Sequence, residues 1–469
     1  MTLEGIVSHI NGIVWGPVVL VFLVGTGMYL SCCVGFIQFT KFTTVIKHTL
    51  GRIFEKNDTK GEVTPFQAMT TALSATVGTG NIAGVTGAIA IGGPGAVFWM
   101  WISALFGMVT KYAEVFLAVK YRERNTHGDW VGGPMYYIKN GLGKKYNWLA
   151  VLFCLFGALA AFGIGNMTQV NTIASSINTA LQSYGIDVTR GSFIIMNQVV
   201  PVSSVIVGVI VSCLIGLVLF GGIQRIGKVA EKLVPFMSIL YIVCGLVVVV
   251  CNIQYVPNVI MLIFKGAFNA QAAVGGAVGI SIMTTIQRGV GRGVFSNEAG
   301  LGSAPMGHAS TSETNPAKQG LYGIFEVFAD TLVICTLTAF ILLCGYSSGV
   351  EIVWGQSAGA ELISASFQTI FGSHMGALLV AVCISLFAFS TILSWSLYGT
   401  RCFEYLFKSK GVRVYQIVFL VVIIIGACLK LGLVWDIADT LNGMMILPNL
   451  VALILLSPVV IKATIDYFR

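Results

Sequence analysis

Eleven apolar runs, each long enough to cross a bilayer and separated by short loops, leave this chain few ways to fold. A span needs about 17–25 predominantly apolar residues, and the runs fall at 13–36, 65–91, 94–119, 147–183, 203–221, 229–252, 258–287, 317–346, 375–402, 413–430 and 433–460. Only 10% of the residues are charged and mean hydropathy is +0.86, whereas soluble domains carry about 25% charge. The pattern predicts an all-α integral membrane protein with eleven transmembrane helices. Met1 to Gly12 holds Glu4 and no lysine or arginine, and the run behind it is too long for a cleavable signal peptide. It is expected to persist as the first span.

The formal charge of +8 does not point to nucleic acid, because the basic residues sit in short loops between apolar runs, where they report membrane orientation. With the N-terminus outside, 23 of the 27 lysines and arginines fall on the inner side, among them Lys41, Arg122, Lys144, Arg225, Lys228, Lys232, Arg288, Arg292, Arg401 and Lys462. An odd number of spans follows, in a cell membrane, with the C-terminus cytoplasmic. The eleven cysteines and five histidines show no metal-ligand spacing, and no enzyme constellation emerges.

Setting the first span aside, the other ten divide into two fives of opposite orientation. The predicted units are 1–64 (first span and inner loop), 65–252 (first repeat) and 253–469 (second repeat), a five-plus-five inverted repeat of the kind that builds secondary transporters around broken helices. The second span carries such a break. Thr70 to Gly87 reads T-T-A-L-S-A-T-V-G-T-G-N-I-A-G-V-T-G, and each glycine costs a helix about 1 kcal/mol. Freed backbone groups persist in a bilayer only where they line a cavity or hold a ligand. The matching break is expected in the seventh span at Phe268 to Gly279, where Gln271, Gly275 and Gly276 interrupt the apolar sequence.

A broken helix offers amides to a carboxylate and carbonyls to a cation. Thr79, Gly80 and Asn81 suit a small zwitterion. Sodium needs hard oxygens, and the ninth span supplies Ser385, Ser390, Thr391, Ser394 and Ser396; Ser390 and Thr391 can close a cage with carbonyls of Ser74 and Val77, or can bond back to their own helix. In the fourth span Asn166, Thr168, Gln169 and Asn171 either join helices or line the path, with Gln169 facing substrate. Trp395 either walls a pocket and limits side-chain size or serves as a core or lipid-facing aromatic. Of the intramembrane acids, Glu114 sits three residues after Lys111 as a structural ion pair, and Asp330 is the candidate for proton relay. Arg288 to Ser310 reads as a cytosolic stretch, either an inner gate or a connection.

Gly92 to Gly107, G-G-P-G-A-V-F-W-M-W-I-S-A-L-F-G, resembles the signature of the alanine or glycine:cation symporters, the sodium:alanine symporter family within the amino acid–polyamine–organocation superfamily. G-T-G-N-I-A-G at 78–84, G-G-P-M-Y-Y-I at 132–138 and S-N-E-A-G-L-G-S-A-P at 296–305 match as well. The resemblance implies a leucine-transporter-like fold and import of alanine or glycine with sodium as the coupling ion and no other cofactor. It places the substrate carboxylate on Gly78, Thr79, Gly80 and Asn81, one sodium on Ser74, Val77, Ser390 and Thr391, and a second on Thr76 and Asn81. Gly275 and Gly276 opposite Trp395 would keep the pocket shallow. A proton-coupled carrier of the same shape, a channel and a membrane-embedded enzyme are the competing readings.

Overall fold

Most helices lie where the apolar runs are, the seventh run being the exception described below. The computed structural model describes residues 3–52, 63–126, 128–195, 198–269, 280–429 and 432–469. In the N-terminal half they are α1 (Leu3–Val14), α2 (Pro17–Cys33), α3 (Pro65–Thr76), α4 (Val85–Gly92), α5 (Ala96–Lys120), α6 (Asn147–Phe162), α7 (Thr168–Ser183), α8 (Val202–Leu219) and α9 (Gly222–Cys251). In the C-terminal half follow α10 (Val256–Phe268), α11 (Ile282–Asn297), α12 (Pro316–Val327), α13 (Thr336–Ser347), α14 (Ala360–Phe371), α15 (Ser373–Phe407), α16 (Val412–Cys428), α17 (Gly432–Met444) and α18 (Ile446–Phe468). Among the described residues, eight helical stretches are long and apolar enough to cross a membrane, and Gly80–Gly92, Ile253–Phe268 and Val412–Cys428 are shorter apolar helices. Two small antiparallel hairpins, Glu123–Arg124 with Trp130–Val131 and Phe193–Ile195 with Gln198–Val200, sit in loops.

Local chemistry sets the start and stop of the helix that matters most. Thr64 and Gln67 form a reciprocal cap at the start of α3, each side chain accepting from the other's backbone N–H at 3.1 Å, with Pro65 in the first turn. Such a cap stabilises a helix by about 1 kcal/mol. At the far end of this span α4 stops at Gly92, and Gly93 turns the chain with φ +77°, a conformation that glycine adopts without strain.

The two halves meet helix against helix. α5 packs on α12, α7 on α15 and α8 on α16, while α3 lies between α9 and α15. Exposed Leu217, Phe236, Ile239, Val243 and Ile417 make the outer surface of the bundle apolar, as a lipid-facing surface requires.

The seventh span departs from the sequence expectation. Residues 270–279, with Gln271, Gly275 and Gly276, lie outside the described residues. α11 begins at Ile282 and runs alongside α5 in the same direction. Gly289 is set against Ala96, Gly293 against Met100 and Ser103, and Gly107 against Ala299. The chain leaves the helix at Glu298 (φ +56°), Gly300 (φ +91°) and Gly302 (φ +79°), then re-enters a short helix at Pro305–His308. A break therefore lies at Glu298 to Ala304, inside the stretch expected to be cytosolic. That stretch is buried, including Ala299, Leu301, Ser303, Ala304 and His308. Its alanines, glycines and serines are small enough to thread between packed helices.

This register also moves two charges. Arg288 packs beside Gly92, at the end of the bundle where α5 begins, whereas Lys120 is at the end where α5 finishes. Arg292 follows one turn on. Both were expected on the inner side with Lys120, and both belong to the opposite half.

Candidate substrate and cation site

The break in the second span is where the sequence put it. α3 ends at Thr76, Val77 turns out of the helix with ψ 89°, and a π-helical turn at Gly80–Gly84 leads into α4. Two further π turns, Gly163–Met167 and Phe328–Cys335, interrupt the fourth and eighth spans at the same level. Single π turns widen a helix and free backbone groups, and they recur at functional sites.

On one side of the break, oxygen atoms converge. Ser390 Oγ donates to Phe387 O at 2.8 Å, and lies 3.2 Å from Ser74 O and 3.5 Å from Val77 O. Thr391 Oγ1 donates to Phe387 O at 3.1 Å and lies 3.4 Å from Ala75 O. The carbonyls of Ser74, Val77 and Phe387 and the hydroxyls of Ser390 and Thr391 thus form a neutral, buried cluster of hard oxygens. Such a donor set suits an alkali cation. The hydroxyls bond their own helix and also reach across to the break. Phe387 was missed, because a carbonyl has no residue signature. Ser394, one turn on, donates to Thr71 O at 2.7 Å and touches Ser74 Oγ.

On the other side, donors converge. Gly78 N–H donates to Asn81 Oδ1 at 2.8 Å, while Thr79 N–H and Thr79 Oγ1 both donate to Gln169 Oε1, at 3.3 and 2.9 Å. A carboxylate oxygen in the place of this amide oxygen would meet the same two donors. Asn166 and Asn171 instead join helices, donating to Phe419 O and to Gly426 O and Leu429 O. Thr76 Oγ1 bonds back to Leu73 O at 3.1 Å, and Asn81 Nδ2 turns to Asp330 Oδ1 at 2.6 Å. Thr76 and Asn81 are not brought together on a shared partner. Asp330 also accepts from Ser296 Oγ and Thr331 Oγ1, at 2.9 and 2.8 Å.

Trp395 is buried against Gly165, and its Nε1–H donates to Glu298 Oε1 at 3.0 Å. Ser303 Oγ holds the other oxygen of Glu298 at 2.6 Å. The ring is thereby pinned between the fourth span and the second break. A Cβ on Gly165 would collide with the Trp395 side chain. Overpacking costs about 1–3 kcal/mol, so Gly165→Ala is expected to lower uptake of a small amino acid about tenfold at unchanged membrane expression, read by isotope uptake normalised to purified protein.

The second break is held by an intramembrane pair. Lys111 Nζ donates to Asn297 O at 2.8 Å, and Glu114 Oε1 accepts from Gly300 N–H at 3.0 Å, Gly302 N–H at 3.1 Å and Asn449 Nδ2 at 2.5 Å. The spacing of these two residues on α5 suggested that they pair with each other. Lys111 lies 3.8 Å from Glu326, which also meets His308, and Glu114 caps broken backbone.

A cavity of about 920 Å³ opens at the Gly92 end of the bundle. Its walls include Ala83, Gly84, Asn171, Arg288, Arg292 and Asp439, so its deepest lining residues lie one turn from Gly80. Arg292 stacks over Phe295, pairs with Asp439 at 3.4 Å, and Phe295 in turn covers Gly80. Neither Phe295 nor the Arg292–Asp439 pair was legible in the sequence, because both depend on where α11 begins.

Comparisons with known proteins agree with this geometry. The model of the "Sodium:alanine symporter family" matches residues 1–469. The sodium/alanine symporter AgcS of Methanococcus maripaludis is 43% identical, over 99% of this chain and 97% of that protein. An uncharacterized transporter of Haemophilus influenzae is 45% identical over 100% and 97% of the two chains. The probable sodium/glutamine symporter GlnT of Bacillus subtilis is 37% identical over 100% and 91%. Among solved structures, MhsT in complex with L-phenylalanine aligns with a TM-score of 0.55 at 12% identity, over 85% of this chain and 97% of that one. The Eremococcus coleocola manganese transporter aligns with 0.52 at 14% identity, over 91% and 80%. These last two speak for a shared leucine-transporter-like fold. The chain is a multi-pass membrane transporter, not an enzyme, and it belongs to the sodium:alanine symporter family.

Proposed function

We propose that the protein imports alanine, glycine or both with sodium, by alternating access. The observation that carries the reading is the break at Val77 to Gly80, which faces a neutral oxygen cluster on one side and converging donors on the other. Sodium bound by Ser74 O, Val77 O, Phe387 O, Ser390 Oγ and Thr391 Oγ1 would tie α3 to α15. The substrate carboxylate would take over the donors of Gly78, Thr79 and Gly80, with Asn81 shaping the turn and Gln169 yielding its place. Trp395, pinned over Gly165, bounds the space left for the side chain and favours a small one.

In this reading the chain crosses the bilayer eleven times with the N-terminus outside, and 65–252 and 253–469 are inverted repeats. The seventh crossing is α11 and the break that follows it rather than 258–287, where the end of α10 and the start of α11 both lie near Gly92 to Gly95. The pairing of α5 with α12, α7 with α15 and α8 with α16 supports that symmetry, each helix meeting its counterpart. The cavity above Gly84 is then the outer vestibule, and the buried stretch Glu298 to Thr311 closes the inner side.

Isotope uptake into proteoliposomes, with sodium exchanged for choline and with each small amino acid as competitor, tests the proposal. Uptake that persists in choline would overturn it. Asp330, beside Asn81 and Ser296, supports a second reading in which a proton or a second sodium is held there. Asp330→Asn separates the two: if the carboxylate binds a second sodium, the Hill slope for sodium falls toward 1 while pH-driven uptake stays absent. A proton-coupled carrier instead loses uptake driven by a pH gradient.

A further inference from the structure

We infer that the outward face of the first turns of α9 binds the phosphate of an anionic glycerophospholipid in the leaflet at that end of the bundle. Arg225, Lys228 and Lys232 line a groove of about 520 Å³ together with Val229, Leu233 and Phe236. Their spacing puts all six on one side of the helix. The three cations are exposed, and among the described residues no ion pair involves them. Glu231, the acid in this stretch, is turned away and accepts from Gln67 Nε2 at 2.9 Å.

The order of residues along the groove matches the order of groups in a phospholipid. Charge comes first, at the helix start, where Arg225 folds back over Gly221. Apolar surface follows toward the middle of the bundle, and it continues into exposed Phe236, Ile239 and Val243. A free phosphate would use only the first part, whereas a lipid uses both. Basic clusters at the membrane surface contribute about 1 kcal/mol per Lys or Arg toward anionic lipid.

The opposite face of the same turns holds the start of α3. A Cβ on Gly227 would sit 3.4 Å from Gln67 Cβ and 3.8 Å from Thr71 Oγ1, and Gln67 is the residue that caps α3. A lipid on the outward face therefore steadies the helix against which the broken span is seated, and transport is expected to depend on anionic lipid.

The test is native mass spectrometry of the full chain in detergent, titrated with phosphatidylglycerol or with phosphatidylcholine of the same acyl chains. Wild type is expected to bind phosphatidylglycerol at least about tenfold more tightly. The variant R225Q/K228Q/K232Q should lose that preference, and the control K408Q/K410Q/R413Q, which removes three basic residues elsewhere, should keep it. Equal affinity of wild type for the two lipids overturns the proposal without recourse to any variant, as does equal loss in both variants. Binding is read without sodium or amino acid, so its outcome is independent of the transport reading. Uptake in phosphatidylcholine vesicles with and without phosphatidylglycerol then measures the functional consequence.

Discussion

Replacing Gly78 by alanine is expected to abolish sodium-driven uptake. The new Cβ would collide with Thr391 Oγ1 and would lie 3.5 Å from Gln169 Oε1. It thus intrudes on the oxygen cluster and on the converging donors at once. α15 cannot back away easily, because Ser390, Thr391 and Ser394 bond to α3 over more than one turn. Thr391→Ala is the milder companion, removing one oxygen and leaving the backbone alone. Loss of one interaction with a charged group costs about 1.5–3 kcal/mol, so the sodium concentration for half-maximal uptake should rise ~10- to ~100-fold. Uptake measured against sodium concentration checks both. A Gly78→Ala protein with normal sodium dependence would show that the cluster is merely helix packing.

The second large effect is expected at Glu114, which belongs to the second break and not to the oxygen cluster. Glu114→Ala leaves the amides of Gly300 and Gly302 and the side-chain amide of Asn449 without their acceptor, at a fully buried position. Breaking a buried charged network costs about 3–5 kcal/mol, enough to unfold a marginal membrane protein or unseat the second break. Glu114→Gln keeps one acceptor oxygen at the same reach. The expected order is therefore wild type, then Gln, then Ala, in the melting temperature of purified protein and in uptake alike. Equal behaviour of Gln and Ala would mean that charge, rather than the capping of broken backbone, is what Glu114 supplies.

These two sites differ in how far the sequence disclosed them. The first break announced itself, because Gly78, Gly80 and Gly84 cluster in an otherwise apolar span and weaken the helix at one place. Ser390 and Thr391 were legible for a similar reason, being adjacent hydroxyls in an apolar run. The second break was concealed by its own composition. Glu298, Gly300, Gly302 and Pro305 have the composition of a loop, and the neighbouring arginines drew them toward water. Only the packing of Gly289, Gly293 and Asn297 along α5 brings that stretch into the core, and such pairing between distant segments leaves no mark in either segment alone. The expected break at Phe268 to Gly279 falls largely on residues outside those described, and the break at Glu298 to Ala304 was not foreseen. Lys111 and Glu114 were read as a pair because their spacing permits it, although each finds its main partner on the broken chain.

The most direct measurement is equilibrium binding of radiolabelled alanine to purified protein, with and without sodium, for wild type and Thr391→Ala. If sodium and amino acid share the break at Val77 to Gly80, sodium should tighten alanine binding to wild type by tenfold or more (about 1.4 kcal/mol), and the variant should lose most of that gain. Alanine binding that is indifferent to sodium in wild type, or a sodium effect that survives intact in Thr391→Ala, would contradict the account.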